Sequence, residues 1–354
     1  MPRYLSGEDG MKARLAATPR PLHFAGKNPA EWAVWRRRLK RALETYLGPT
    51  PEPVDLNPEV SQRTDCGSYY REHVIFDSEA FASVTAWVLT PKSATAATPA
   101  PGILCLHGHG PHGKDALVGV NVHGEPIAQE IYHCQAVELA EQGYVVIAPD
   151  WRGFGERADR DWWVRRPSRD GCNVLYLAAG YFGYHLLALQ IHDGQRTLDY
   201  LLTRPEVRPD RIGAIGLSFG GTMTTWLAAL DERITCAVIG CYLSTLEDGL
   251  ARGNFCGAQY APGLATVADI ADVAGLIAPR PCQAQIGEQD LCFTIDDAAA
   301  ACDHVARIYA AAGVPERFET DRFGGGHEFD PPAARDWFAR WLKAGSREAA
   351  PAAP

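Results

Sequence analysis

Ile212-Gly213-Ala214-Ile215-Gly216-Leu217-Ser218-Phe219-Gly220-Gly221 is an apolar run that ends in Gly-x-Ser-x-Gly, and a helix-compatible run, 222–230, follows it. That order predicts a buried strand, a sharp turn at Ser218 and a new helix. The turn forces Ser218 into a strained backbone conformation. Gly216 and Gly220 are needed because side chains would collide where strand and helix crowd together. The Ser218 hydroxyl is then held out at the end of a sheet. The Phe219 amide, at the positive end of the new helix, points at the same spot. The bland alternative is a Gly/Ser turn without chemistry.

Outward from this stretch, strand and helix signals alternate. Strands are expected at 102–106, 144–148, 234–240, 281–286 and 317–320, and helices at 127–142, 184–202, 296–312 and 331–344. The alternation predicts an α/β fold, a mainly parallel, doubly wound sheet with helices on both faces. Two strand-like stretches, 68–76 and 81–89, flank the turn Asp77-Ser78-Glu79 and read as an antiparallel pair at the sheet edge. Residues 1–28 read as an irregular arm. The segment Pro29–Leu47 reads as an amphipathic helix, with Trp32, Trp35, Leu39, Leu43 and Leu47 at helical spacing. Arg36, Arg37, Arg38, Lys40 and Arg41 between them read as its solvated face.

Three regions follow: 1–60, an arm and helix packed on the core; 61–345, the α/β domain; and 346–354, a disordered tail. Two excursions, 157–183 and 241–274, come after strands, at the sheet edge where such folds bind ligands, and read as cap-like insertions.

A serine hydroxyl is a weak nucleophile near neutral pH and needs a base. His327 fits, because it follows a short strand and Gly324-Gly325-Gly326 and precedes a helix. His107 closes a buried strand and reads as a brace, and His304, on a helix, is expected to be exposed. The base needs a carboxylate to fix its tautomer. Asp290 lies just past a strand end between Ser218 and His327. Asp296 and Asp297 compete but read as helix N-terminal residues, and Glu288 is a weaker alternative. Two backbone amides should meet an oxyanion: Phe219, and His109 in His107-Gly108-His109-Gly110, with Gly110 as the near alternative. Asp150, Arg152 and Glu156 read as a buried ionic brace. Trp162, Trp163, Tyr181, Phe182 and Tyr242, in the excursions, are candidate pocket residues.

His107, His109, His112 and His123 are dense enough to raise a metal reading, but their spacing matches no zinc pattern and there is no HExxH helix. Neither a metal nor a cofactor is expected. Among 354 residues, 34 Lys and Arg against 43 Asp and Glu give a net charge of −9, which argues against nucleic acid as a partner. No apolar run is long enough for a membrane span, and the polar N-terminus has no signal-peptide core. The ten cysteines form no CxxC pair and fit free thiols in a reducing compartment, so a cytoplasmic location is expected. The arm and first helix leave both a monomer and a homo-oligomer open.

His107-Gly108-His109-Gly110, Asp150-x-Arg152-Gly153-Phe154-Gly155-Glu156, Gly216-Leu217-Ser218-Phe219-Gly220-Gly221, Gly287-x-x-Asp290 and Gly326-His327 occur in that order. Together they resemble the α/β-hydrolase superfamily, and within it the dienelactone-hydrolase and acetyl-xylan-esterase-like branch. The resemblance implies the α/β-hydrolase fold and a serine hydrolase acting on a carboxylic ester of a small or medium-sized substrate. The other expectations are cleavage of an amide, peptide or carbon–carbon bond by the same triad, or a non-catalytic binder on the same fold.

Overall fold

The structure, a computed structural model, describes residues 3–127, 131–158, 171–253 and 255–343. Its strands are β1 Glu59–Asp65, β2 Tyr69–Glu79, β3 Ala82–Pro91, β4 Ala100–Leu106, β5 Val145–Pro149, β6 Val207–Leu217, β7 Cys236–Gly240, β8 Cys282–Gly287 and β9 Phe318–Phe323. They form one sheet in the order β1-β2-β3-β5-β4-β6-β7-β8-β9. The pairs β1–β2, β2–β3 and β3–β5 are antiparallel. From β5 across to β9 every pair is parallel. The expected doubly wound sheet is therefore present, and the expected antiparallel pair, β2 and β3, lies one strand in from the edge, which β1 occupies.

Helices cover both faces, which is why β5, β7 and β8 are buried at every position. Alternate residues of one strand enter opposite cores. Leu104 and Leu106 join the core under the helices Pro29–Leu47, Leu186–Thr203, Phe219–Leu230 and Ile295–Ala311. Ile103 and Cys105 join the core under Gln135–Glu141 and Pro331–Phe338. Among the described residues, no helix is long and apolar enough to cross a membrane.

The N-terminal segment is more ordered than expected. It opens with a helix, Gly7–Ala17, capped by the Ser6 side chain and burying none of its residues. With no apolar stripe, periodicity had nothing to register. β1 is likewise an added edge strand, Glu-Val-Ser-Gln-Arg-Thr-Asp, mostly exposed and so without the alternation that marks a half-buried strand. Of the segment expected as one helix over 127–142, residues 128–130 lie outside the described residues, and the described part is helical over Gln135–Glu141.

Residues 18–47 lie on the domain of the same chain. Trp35, Leu39, Leu43 and Leu47 are buried. The Trp35 indole N–H donates to the Leu22 carbonyl at 2.7 Å, and the Leu22 amide donates to the Val267 carbonyl at 2.8 Å. Arg36 and Lys40 reach Glu232, while Arg37, Arg38 and Arg41 are exposed.

His304 corrects an expectation. It is 4% exposed, because it faces inward and bonds through Nε2 to Asp272 at 2.7 Å. His23 of the arm bonds the same carboxylate through Nδ1 at 2.9 Å and stacks on His304 at 4.2 Å. The Phe24 amide adds a third bond at 2.9 Å.

The Asp272 hydrogen bond raises the His23 pKa above its ordinary value. A raised folded-state pKa means stabilisation that is complete below the unfolded value, about 6.5, and lost as pH rises through the folded one. Protease cleavage within residues 18–27 is therefore expected to accelerate as pH rises above neutrality, and His23→Ala should flatten that dependence. An arm equally resistant at both ends of the range would contradict the assignment.

Candidate active site

β6 ends at Leu217, and Ser218 adopts φ 60°, ψ −117° before the helix Phe219–Leu230 begins. A non-glycine residue there is strained, and such strain persists only where the surroundings enforce it. The enforcement is visible in the glycines. A Cβ on Gly216 would lie 2.2 Å from the Gly220 carbonyl oxygen, and one on Gly220 would lie 2.0 Å from the Leu106 carbonyl oxygen. No side chain fits either position, so strand and helix meet backbone to backbone. The Ser218 amide donates to the Gly240 carbonyl at 2.9 Å, which ties the turn to the end of β7.

β7, β8 and β9 bring the other groups to the same rim. Cys241 follows β7, and its amide donates to Gln285 of β8 at 3.0 Å. Past β8, Asp290 accepts a hydrogen bond from His327 Nδ1 at 2.8 Å. The other Asp290 oxygen accepts from the amides of Cys292 at 2.7 Å and Phe293 at 3.2 Å. Burial pushes the Asp290 carboxyl up, but His327 and these amides outweigh it and hold it below the usual carboxylate range. Asp290 is therefore ionised, and its bond to Nδ1 leaves Nε2 as the nitrogen open to a reacting group. Among the described residues Nε2 makes no hydrogen bond.

The His327 loop is pinned by groups the sequence did not single out. The Cys241 thiol, which burial pushes up to about 12, donates to the carbonyls of Glu328 at 3.3 Å and Gly326 at 3.8 Å. It is a neutral donor and not a second nucleophile. The amide of Gln289 donates to the Gly325 carbonyl at 2.9 Å. A Cβ on Gly287 would lie 2.0 Å from the Gly326 carbonyl oxygen, so the loop seats directly on the end of β8. The competitors stand elsewhere. Glu288 pairs with Arg322 at 3.6 Å, and the Asp297 carboxylate accepts from the hydroxyls of Thr245 at 2.7 Å and of Thr294, the residue that caps the helix Ile295–Ala311, at 2.6 Å.

On the other side of Ser218, the loop after β4 is held by His107 and Tyr132. His107 is fully buried, and burial pushes its pKa down to about 4. The neutral ring donates from Nδ1 to the Gly108 carbonyl at 2.7 Å and accepts at Nε2 from the Trp151 amide at 3.2 Å. It is a brace, as expected. The Tyr132 hydroxyl accepts from the Gly108 amide at 3.1 Å and donates to the His109 carbonyl at 3.2 Å. Among the described residues, neither the His109 amide nor the Phe219 amide has a hydrogen-bond partner. Beside this loop lies a cavity of about 240 Å³, lined in part by Gly108, His109, Ala116, Ile131 and Tyr132.

Buried ion pairs brace these loops, but Arg152 pairs apart from Asp150 and Glu156, unlike the expected brace. Arg152 forks onto Asp193 with two bonds of 2.8 Å, and Arg157 adds a third of 2.8 Å. Asp150 and Glu156 instead surround Lys114.

The candidate pocket residues fare differently. Trp162 and Trp163 lie outside the described residues. Tyr181 and Phe182 are corrected. They sit on the turn after Gly171–Gly180 and are 90% and 79% exposed, far too open for rings that line a pocket. Tyr242 is buried one layer back, under Gly221 and against Phe293, whose ring lies 6.0 Å from His327.

The family model described as the Abhydrolase family matches residues 2–348. "Putative hydrolase YtaP" of Bacillus subtilis (strain 168) is 27% identical over 317 residues, 87% of this chain and 99% of that protein. A solved putative acetyl xylan esterase from Bacteroides fragilis NCTC 9343 superposes with TM-score 0.75 at 22% identity, over 91% of this chain and 83% of that one. A glucuronoyl esterase from Solibacter usitatus gives TM-score 0.63 at 16% identity, over 92% of this chain and 99% of that one. With a serine elbow at the end of β6 and a match over nearly the whole length, this chain belongs to the Abhydrolase family and has the α/β-hydrolase fold.

Proposed function

We propose that the protein is a serine esterase that cleaves a carboxylic ester of a small or medium-sized substrate through an acyl-enzyme. The observation that carries this reading is the strained Ser218 between two unpartnered amides, on the rim that also holds the Asp290–His327 hydrogen bond. Ser218 Oγ attacks the ester carbonyl while His327 Nε2 takes its proton. The amides of Phe219 and His109 receive the oxyanion. The imidazolium, stabilised by Asp290, then protonates the leaving alcohol. Water, activated by the same nitrogen, cleaves the acyl-enzyme and returns the proton to Ser218. The names of the two solved neighbours, both esterases, support the ester bond as the target.

A cavity of about 240 Å³ beside the oxyanion loop suits a short acyl group better than a long chain. A panel of p-nitrophenyl esters of graded acyl length, with acetylated sugars and a lactone beside it, tests this. Turnover should be highest for acetyl and fall as the chain lengthens. Hydrolysis of amides with no turnover of any ester would replace the reading with an amidase. Absence of both, with no fluorophosphonate labelling, would make the protein a binder.

Tyr132 acts through the loop and not on the substrate. Tyr132→Phe leaves the buried Gly108 amide unbonded and frees the His109 peptide to rotate. We expect kcat to fall about tenfold to a hundredfold, less than outright loss of an oxyanion donor, with KM nearly unchanged. An unchanged kcat in steady-state assays would remove Tyr132 from the account.

A further inference from the structure

Three side chains at the mouth of the site play no part in the chemistry above. His109 lies on the loop after β4, Cys172 at the start of the helix Gly171–Gly180, and Cys256 in the second insertion. Residues distant in sequence thus converge from three separate segments. His109 Nε2 and the two Sγ atoms all lie within 4.8 Å of one another, and Nε2 is 3.1 Å from the Cys256 sulfur. We propose that these three residues form a binding site for a thiophilic divalent cation, Zn²⁺ above all, which links both insertions to the oxyanion loop.

The geometry is close to that of a tetrahedral zinc site. Zn–S bonds of about 2.3 Å and Zn–N bonds of about 2.0 Å set N···S and S···S separations of roughly 3.5 and 3.8 Å. The present atoms need to shift by only about 1 Å to meet them. Two thiolates and an imidazole favour zinc over magnesium or calcium. The backbone is already arranged for the purpose. The Gly257 amide donates to Asn173 Oδ1 at 2.7 Å, and the Tyr176 and Tyr260 rings meet edge to face at 5.5 Å, so the two insertions touch beside the cluster. A Cβ on Gly257 would lie 2.3 Å from Tyr176 Cβ, which fixes how closely the segments approach. The His109 ring is held between Phe154 at 5.5 Å and Phe219 at 5.2 Å. Cys172 is 2% exposed, while His109 is open to solvent and supplies a way in.

Among the described residues two other groups converge in the same way, and each has work that explains it. Cys241, Asp290 and His327 build the hydrolytic site, and His23, Asp272 and His304 clasp the arm. Three protein ligands leave a fourth position for water. Binding displaces thiol protons and so strengthens with pH. Closing the three ligands to zinc distances shifts them by about 1 Å, and it draws His109, whose amide meets the oxyanion, out of position. Hydrolysis should therefore slow on binding, a consequence that rests on the proposed esterase reading, whereas the binding itself does not.

The test uses the reduced full-length chain, with Co²⁺ as a spectroscopic probe and Zn²⁺ as competitor. One equivalent of Co²⁺ should produce a thiolate-to-metal charge-transfer absorption that Zn²⁺ abolishes. Cys172→Ala, Cys256→Ser and His109→Ala should each weaken binding by about a hundredfold or more, beyond the loss typical of groups that merely support a ligand. Cys66→Ser, remote from the cluster, should bind as the parent does. Failure of the absorption to appear, or binding of undiminished affinity in both the Cys172 and Cys256 variants, would overturn the site. Correct binding in a protein that hydrolyses no ester would leave the site standing and remove the esterase reading instead.

Discussion

Ser218→Ala is expected to lower kcat for ester hydrolysis by about 10⁴- to 10⁶-fold, with the fold and melting temperature almost unchanged. The size of the loss follows from what remains. The two amides and the binding surface are backbone and distant side chains, so the variant should keep a small rate above water. Without Oγ, however, no covalent intermediate forms and His327 has no hydroxyl to deprotonate. The small effect on stability follows from the elbow itself. The backbone at 218 is forced by the contacts of Gly216 and Gly220, and a methyl side chain meets those constraints as a hydroxymethyl does. Stoichiometric labelling of the parent by a fluorophosphonate probe, absent in the variant, gives a readout independent of substrate choice. An esterase rate in Ser218→Ala within a few fold of the parent would end the assignment, whatever the fate of His327.

What the sequence made legible is what local chemistry dictates. The elbow could be read because three glycines and a serine are required within six residues. The carboxylate and histidine followed because the chain order of the fold constrains where they fall. Contacts between distant segments left no such mark. Tyr132 holds both Gly108 and His109, yet no local pattern sets it apart. Cys241 looked like one more buried thiol until the His327 loop was seen to rest on it. His304 has helical neighbours that suggest an exposed face, and only the arm folding back over it, bringing His23, shows that it is buried. The aromatic residues failed for the opposite reason. Tyr181 and Phe182 have the composition of a pocket, but composition does not say which way a turn faces.

Lys114→Met is expected to destabilise the fold by about 3–5 kcal/mol. Lysine is almost never fully buried unless paired, and Lys114 has no exposed surface. Its ammonium meets Asp150 at 2.9 Å and Asp115 at 3.4 Å, with Glu156 as a third partner. Asp150 is also fully buried. Its remaining partners, the amides of Lys114 at 2.8 Å and Glu156 at 3.1 Å and the Thr85 hydroxyl at 3.1 Å, are neutral donors. His107 stands 3.8 Å away but is uncharged at neutral pH. Methionine fills the same volume and leaves the carboxylate without a counter-charge, so the penalty is electrostatic and not a cavity. Adding Asp150→Asn to Lys114→Met should then recover much of the loss. Acid gives a second handle. Burial pushes Glu156 up, but His73 and Lys114 outweigh it and hold it at about 2 against an ordinary 4.5. A depressed folded-state pKa gives stability that is present above the unfolded value and lost as pH falls through the folded one. The stability gap between parent and Lys114→Met should therefore narrow as pH falls from about 4.5 toward 2. Denaturant unfolding at several pH values measures both effects. A loss below about 1 kcal/mol at neutral pH, or a double variant no more stable than the single one, would show that Lys114 is not the charge that holds these loops beside β4.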